Sequence, residues 1–178
     1  DAASTPGIIE YGWEGIQYAV SKGAKIVSLS WGNTTNSQTY QNLVNSYEAQ
    51  GVLIVAAAGN AGIETPLYPA AYNYVVGVGA TDESDYKASY SNYGTWVDIM
   101  APGSNIMGIL CTSPTNYSAR SGTSMATPMV ASLAALIKSY NPALTPAEIR
   151  TSLYNSADKI DALNPNYISK MGAGRINA

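Results

Sequence analysis

The sequence predicts an α/β fold with three layers, in which a mostly parallel sheet is flanked by helices. Short apolar runs of strand length alternate with longer segments whose apolar residues recur every three or four positions. One run, residues 52–58, is continuously apolar, which is typical of a parallel strand buried on both faces. Because strands and helices alternate, the strands are expected to be parallel and joined by right-handed crossovers.

The individual elements follow from local signals in chain order. In the first helix Thr5 is the expected cap, Pro6 takes the first helical position and Gly23 ends the helix. The second helix ends at Gly51, and the last begins with the capping-box pattern of residues 145–148. The predicted strands are residues 25–30, 52–58, 74–80, 96–100 and 106–111. The predicted helices are residues 6–22, 37–50, 123–140 and 145–156.

A serine stands at the start of the longest predicted helix. Free N–H groups and the helix dipole near Ser124 favour negative charge, which suits an attacking serine oxygen and a developing oxyanion. Alternatively, Ser124 or Thr123 only caps the helix. Pro128 lies in the first turns, where a missing N–H costs little. The apolar residues that predict a buried helix are Met125, Ala126, Met129, Val130, Leu133, Ala134, Leu136 and Ile137.

An asparagine follows the apolar run 52–58. Gly59 lets the backbone turn, and Asn60 then presents its amide at the carboxyl end of the strand. In open α/β sheets ligands bind at that edge. An amide donor beside a serine nucleophile is the composition of an oxyanion hole. The alternative for Asn60 is a turn residue that tolerates left-handed backbone geometry.

The chain contains no histidine. The usual general base for a serine nucleophile is therefore absent from it. A lysine base, Lys138 or Lys170, is a possible replacement, but both lysines stand in polar contexts far along the sequence from Ser124.

Seven motifs, in order along almost the whole chain, resemble those of the subtilisin-like serine proteases. GTSMATP at residues 122–128 resembles the nucleophile segment, and AAAGN at residues 56–60 resembles the oxyanion segment; these two are the most specific. The other five are residues 25–32, 68–80, 89–94, 97–103 and 172–178. The resemblance implies a secreted serine endopeptidase that hydrolyses peptide bonds through an acyl-enzyme.

Two motifs of that family are not found. The family's aspartate ends an apolar strand in a D-[ST]-G pattern, and its histidine opens a helix with an H-G-T-x-V-A-like pattern; this sequence contains neither. Asp1 does not stand in the context of the aspartate motif. The resemblance therefore implies that residues 1–178 are the C-terminal portion of a subtilisin-like peptidase domain, with an incomplete fold. We expect the Asp and His to come from a missing N-terminal part and this chain alone to be inactive.

The resemblance also assigns roles to individual residues. Ser124 is the expected nucleophile, and Asn60 with the backbone N–H of Ser124 is expected to hold the oxyanion. Leu67 falls at the floor of the primary specificity pocket, where the family often has glycine, which argues against a deep pocket for large aromatic side chains. Ser30, Trp31 and Gly32 would pair with an extended substrate, and Ala57, Ala58 and Gly59 would line the pocket.

A bound cation is a further implication of the resemblance. Hard oxygen ligands suit a structural Ca²⁺ or Na⁺ ion. The implied ligands are backbone carbonyls of Ala70, Tyr72 and Val75 together with the carboxylate of Asp98. The alternative for Asp98 is a carboxylate that caps local backbone N–H groups. No cofactor is expected for the chemistry itself.

Composition limits the partners. The formal net charge of −3 gives no basis for binding nucleic acid or an anionic membrane. The single Cys111 can form no internal disulfide and is expected to be a small buried hydrophobe in a strand. The expected partners are a peptide or protein substrate and the missing N-terminal half. Because a truncated sheet leaves an open edge and uncovered apolar side chains, self-association is also expected.

A function of another class is also compatible with the sequence. The inherited cleft could bind a peptide or a partner chain without cleaving it, which would make the chain a non-catalytic module derived from a subtilase.

Overall fold

The computed structural model describes residues 9–109 and 115–178. Its centre is a sheet of four strands, β1 (Ile26–Leu29), β2 (Leu53–Ala57), β3 (Val75–Thr81) and β4 (Ile99–Pro102). The strands lie side by side in chain order, and each neighbouring pair is parallel. Strand β1 is at one edge, so its outer N–H and C=O groups have no strand partner in the described part of the chain.

Helices cover both faces of the sheet. They are α1 (Gly12–Ser21), α2 (Gln38–Ala49), α3 (Thr123–Tyr140) and α4 (Pro146–Ser156), and a 3-10 turn follows at Pro165–Tyr167. Helix α3 packs across all four strands on one face and contacts α4. Helices α1 and α2 bury Ile16, Val44 and Tyr47 against the other face. This arrangement confirms the predicted three-layer α/β fold.

Two hydrophobic cores result from the alternation of side chains along the strands. On β2, Leu53 and Val55 lie in the core with α3, whereas Ile54 and Ala56 lie in the core with α1 and α2. All residues of β2 and β3 are buried. A continuously apolar strand is the expected consequence of burial on both faces.

A small antiparallel sheet precedes α3. It pairs β5 (Ile106–Ile109) with β6 (Tyr117–Arg120). The sequence predicts β5 but not β6, because the residues of β6 are mostly exposed and carry no apolar alternation. The predicted end of β5 and the predicted burial of Cys111 fall on residues 110–114, which lie outside the described residues.

Capping residues set most helix boundaries within a residue or two of the prediction. Gly23 and Gly51 follow α1 and α2 with φ angles of 90° and 77°, which glycine adopts readily. The predicted start of the first helix is wrong within the described residues, since Tyr11 has non-helical angles of −115° and 36° and the helix begins at Gly12. Residues 1–8 lie outside the described residues.

Helix α3 is covered on one side only. Ala126, Val130 and Ala134 are fully buried against the sheet, but Leu136 is 65% exposed. The prediction of a buried helix is therefore wrong for Leu136, because the sheet and α4 leave the outer face of this all-round apolar helix uncovered. Within the ranges 9–109 and 115–178, none of the helices combines the length and apolar character needed to cross a membrane.

Candidate active site

Ser124 is the second residue of α3, near the helix start. Gly122 takes the cap position, and its backbone precedes Thr123, the first helical residue. Neither Thr123 nor Ser124 caps the helix with its side chain, so the capping alternative for these two residues is wrong. The backbone N–H of Thr123 instead donates to Oδ1 of Asn60 at 2.8 Å, across 63 positions of sequence. A side chain from another segment thus satisfies a helix-terminal N–H group.

Thr123 determines which way the amide of Asn60 faces. Its Oγ1 donates to Oδ1 of Asn60 at 2.9 Å and accepts from the backbone N–H of Gly59 at 3.1 Å. Oδ1 of Asn60 therefore accepts two hydrogen bonds from Thr123. If the amide were flipped, its NH₂ group would face two donors of Thr123, so Nδ2 must point away from Thr123. Nδ2 lies 3.4 Å from the position that a Cβ on Gly122 would occupy.

The nucleophile candidate and the end of β1 are hydrogen-bonded to each other. Ser30 Oγ donates to the carbonyl oxygen of Ser124 at 3.1 Å, and Ser124 Oγ lies 3.5 Å from the carbonyl oxygen of Ser30. The carbonyl of Ser124 needs this donor because Pro128, four residues later, has no N–H. Pro128 thus stands in the second turn of α3, and the group that it leaves unpaired is satisfied by Ser30.

Two N–H donors without a protein acceptor in the described residues stand at the start of α3. The N–H of Ser124 belongs to the first helical turn, where backbone N–H groups have no intrahelical acceptor. Nδ2 of Asn60 makes no hydrogen bond within the described residues, and Asn60 is exposed. Donors of this kind at a helix N-terminus can stabilise negative charge on an oxygen.

The expected substrate segments meet at one edge of the sheet. Because β1 and β2 are parallel, their carboxyl ends lie at the same edge and carry residues 30–32 and 57–59. Trp31 is part of an aromatic cluster, with its ring edge-on to Trp13 at 5.8 Å. Ala57 and Ala58 are 4% and 0% exposed, so their side chains are buried.

Leu67 lies between the two substrate segments. Its Cδ2 is 2.8 Å from the position of a Cβ on Gly32 and 2.9 Å from that of a Cβ on Gly59. Both glycines are therefore needed for the close approach of Leu67. The space between Gly32 and Gly59 is filled by a leucine side chain.

The two candidate lysine bases are not brought to Ser124. Lys138 stands 14 positions further along α3, about 21 Å away at the helical rise of 1.5 Å per residue, and it donates to the carbonyl of Leu144. Lys170 forms an ion pair with Glu64 at 2.7 Å. The geometry gives no support to a lysine base.

Three oxygen atoms surround Gly77, next to residues expected to bind a cation. The carbonyl oxygens of Trp96 and Ala70 and Oδ2 of Asp98 lie 2.9, 3.0 and 3.5 Å from the position of a Cβ on Gly77. Burial raises the pKa of Asp98 to about 6, against the lowering effects of the Gly77 N–H and the Arg150 charge.

Carbonyl and carboxylate oxygens are the ligands that a hard cation such as Ca²⁺ prefers. Trp96 was not among the expected ligands, whereas the carbonyl of Tyr72 accepts from the N–H of Val75 at 3.2 Å. Oδ2 of Asp98 also accepts from the N–H of Gly77 at 2.7 Å. Asp98 therefore has the capping contact that was the alternative, and an ion would be an additional partner. The described residues contain no cluster of three or more His, Cys, Asp or Glu side chains that could hold a metal.

A sequence profile of the subtilase family matches residues 6–174. The chain belongs to this family. Thermitase from Thermoactinomyces vulgaris is 46% identical over 164 residues, which cover 92% of this chain and 56% of thermitase. Subtilisin BL from Lederbergia lenta is 41% identical over 165 residues, 93% of this chain and 59% of that protein. This subtilase chain thus spans less than two thirds of the length of these curated relatives.

Solved structures agree with the subtilase fold. The prenylagaramide maturation protease PagA superposes with a TM-score of 0.83 at 30% identity, over 92% of this chain and 62% of that chain. The psychrophilic subtilisin-like protease Apa1 from Pseudoalteromonas sp. AS-11 has a TM-score of 0.83 at 20% identity, over 97% of this chain and 73% of that chain. At this identity the second likeness shows the fold alone.

The structure brings the segments of Ser124 and Asn60 together, through a residue to which the sequence gives no such role. From the sequence, Thr123 is expected only as a helix cap. The signal was its place in the motif directly before Ser124, but a threonine at a helix start is so common that its hydroxyl has no specific meaning without the contact to Asn60.

Proposed function

We propose that this subtilase chain is the serine-bearing part of an endopeptidase that cleaves peptide bonds through an acyl-enzyme. The observation that carries the proposal is the hydrogen bonding of Asn60 to Thr123, the residue directly before Ser124. Thr123 holds the oxygen of the Asn60 amide, which leaves Nδ2 and the N–H of Ser124 as donors for an oxyanion. The family membership of the chain supports the same reaction.

The reaction follows from these positions. Ser124 Oγ attacks the carbonyl carbon of a peptide bond while a histidine nitrogen takes the serine proton. The carbonyl oxygen becomes an oxyanion held by Asn60 and the Ser124 N–H. The same proton then passes to the leaving amine as the C–N bond breaks, and water later hydrolyses the acyl-enzyme. Since this chain has no histidine, we propose that the histidine and its aspartate belong to a further N-terminal part of the domain.

The uncovered face of α3 is the proposed contact for that part. Two adjoining apolar grooves with volumes of ≈ 540 and ≈ 530 Å³ run along it and share Leu133 and Leu136. The free edge of β1 offers unpaired backbone groups on the same molecule. A segment that supplied both a covering helix and an additional strand would bury these features.

The substrate is proposed to be an extended peptide with a small side chain before the cleaved bond. Backbone groups of Ser30, Trp31 and Gly32 follow the edge strand β1 and can pair with such a peptide. Leu67 fills the space between Gly32 and Gly59, so a large aromatic side chain has no room there. Secretion is proposed from the family resemblance alone.

The complete polypeptide that contains this chain provides the test. We expect it to hydrolyse chromogenic peptide amides and Ser124→Ala to abolish this turnover. The variant should still bind a peptide alcohol that has the sequence of the substrate but cannot react with the serine. Ser139→Ala is the matched control, since Ser139 is exposed at the far end of the same helix. Unchanged turnover in Ser124→Ala would contradict the proposal. Peptide binding with no turnover by the unmodified polypeptide would instead indicate a non-catalytic binding module.

A further inference from the structure

A second asparagine supports the turn that carries Asn60. Asn92 follows β3 in sequence and is only 2% exposed. Its Oδ1 accepts from the backbone N–H groups of Ala61 and Ile63 at 3.0 and 3.2 Å. Its Nδ2 donates to the carbonyl of Ala58 at 2.9 Å. A single buried amide therefore connects the backbone on both sides of Asn60.

The backbone of Asn92 extends this connection. Its N–H donates to the carbonyl of Gly59 at 3.0 Å. Gly59 has a φ angle of 101°, and a Cβ there would lie 2.6 Å from Nδ2 of Asn92. The absence of a side chain on Gly59 thus allows both the left-handed turn and the close packing of the Asn92 amide. Hydrogen bonds from Asn92 on one side and from Thr123 of α3 on the other therefore fix the position of the turn.

Asn92 is itself fixed to the central sheet. Ser91 Oγ accepts from the backbone N–H of Ala80 on β3 at 2.9 Å and donates to the carbonyl of Asn92 at 3.0 Å. The ammonium of Lys87 donates to the carbonyl of Ser91 at 2.9 Å. Hydrogen bonds through Ser91 therefore connect Asn92, and with it the turn, to the buried strand β3.

We infer that Asn92 is a positioning residue for the oxyanion site, which holds the Asn60 turn so that Nδ2 of Asn60 faces the reacting carbonyl oxygen. This inference rests on the proposed function. Asn92 does not touch the substrate in this arrangement, since its amide is buried beneath Gly59. Its effect is expected on the transition state, because a donor displaced by about 1 Å can cost on the order of 10²-fold in rate.

The test compares two buried asparagines. Asn92→Leu removes the amide hydrogen bonds at similar volume. Asn164→Leu is the control, because Asn164 is 4% exposed and its amide likewise makes three hydrogen bonds, to backbone groups of Lys87, Asp85 and Ile160, and none to the turn that carries Asn60. In the complete polypeptide we expect Asn92→Leu to lower kcat about 10- to 100-fold with KM within about twofold. We expect Asn164→Leu to lower thermal stability comparably and to leave kcat unchanged.

A second readout does not depend on activity. In the 178-residue chain, the NMR signals of the Asn60 side-chain amide report its environment. We expect them to move towards free-amide values in Asn92→Leu and to stay in place in Asn164→Leu. If Asn92→Leu does not fold, Asn92→Asp retains the acceptor for Ala61 and Ile63 but loses the donor to Ala58, and we expect an intermediate shift and an intermediate kcat.

The outcomes separate the two proposals. Loss of stability in Asn92→Leu with unchanged Asn60 signals would show that Asn92 is only structural, as would an equal fall of kcat in both leucine variants. A complete polypeptide without any turnover would contradict the proposed function, whereas the NMR comparison would still decide whether Asn92 positions Asn60.

Discussion

The side chain of Asn60 is held by one end, which leaves the other for a ligand. Thr123 supplies both donors to Oδ1, so rotation of the amide would break two hydrogen bonds. An oxyanion hole depends on donors that are already oriented before the reaction, because no free energy is then needed to arrange them. The connection of Asn60 to α3 is thus a property of the ground state of the protein.

Replacing Asn60 should affect turnover far more than binding. In the complete polypeptide we expect Asn60→Ala to lower kcat by roughly 10²–10³ with little change in KM, because the lost hydrogen bond forms mainly in the transition state. Asn60→Asp retains an acceptor for Thr123 but removes the donor, and it should lower kcat at least as much. Steady-state kinetics on a peptide amide measures both. An Asn60→Ala enzyme with unchanged kcat would remove Asn60 from this role.

If Asp98 binds a cation, the stabilising effect of the cation should depend on pH. Its pKa of about 6 means that it is charged at pH 8 and largely protonated at pH 5. We expect Ca²⁺ or Na⁺ to raise the melting temperature of the chain at pH 8 and to do so much less at pH 5. The gain follows mass action, about 2.7 kcal/mol at a ligand concentration 100 times Kd.

Two controls define this ion test. Choline chloride at matched ionic strength separates binding from screening, and Asp98→Asn should remove the response to the ion while retaining the buried packing. A melting temperature that is equally insensitive to both cations in the unmodified chain at pH 8 would rule out the ion site.

At the scale of elements, the sequence predicted the strands and helices that have strong local signals. The continuous apolar run of β2 and the capping box of Thr145 and Glu148 both occur as expected. Strand β6 could not be predicted, because an exposed strand is defined by its partner rather than by its own side chains. The exposure of Leu136 could not be predicted either, since the period of an all-round apolar helix does not say which faces are covered.

In the candidate site, the residues in sequence motifs could be predicted, but the contacts made by the fold could not. Ser124 and Asn60 stand in specific motifs, so both are candidates from the sequence alone. The contacts of Asn92 were not, because three residues of one turn meet an asparagine about 30 positions away only through the fold. The position of Leu67 between two glycines likewise depends on how the two segments pack.

The contact between the end of β1 and the start of α3 can be tested by a double-mutant cycle. Ser30→Ala should lower the free energy of unfolding by about 1 kcal/mol, because the carbonyl of Ser124 loses its donor. In a Pro128→Ala background the same change should cost much less, since the new N–H of residue 128 can donate to that carbonyl. Urea unfolding of the four proteins gives the coupling. Equal costs of Ser30→Ala in both backgrounds would contradict the contact.

At the scale of the whole molecule, the outer face of α3 is an exposed apolar surface. Leu136 and Tyr140 are 65% and 94% exposed along the apolar grooves. Apolar burial contributes about 25 cal/mol per Å², so covering several hundred Å², a rough figure for such patches, would stabilise an assembly appreciably. Either a second molecule or a further part of the domain could cover this face of α3.

We expect the 178-residue chain to self-associate through this face. Leu136→Glu should shift it towards monomer, because a charge in the contact is costly to bury. Tyr18→Glu is the matched control, since Tyr18 is 66% exposed on α1, which packs on the opposite face of the sheet. Sedimentation velocity over a range of concentrations distinguishes the species. A compact monomer that binds no hydrophobic dye would show that the face is not an interface.

The central claim is that Ser124 is a nucleophile whose histidine is supplied from outside these 178 residues. Labelling with a peptidyl fluorophosphonate, followed by mass spectrometry of the labelled peptide, tests it most directly. In the complete polypeptide we expect one label per chain, on Ser124, and none in Ser124→Ala. The 178-residue chain alone should remain unlabelled and should not hydrolyse a peptide ester, because it contains no histidine. A label on any other residue, or ester hydrolysis by the chain alone that Ser124→Ala abolishes, would contradict the claim.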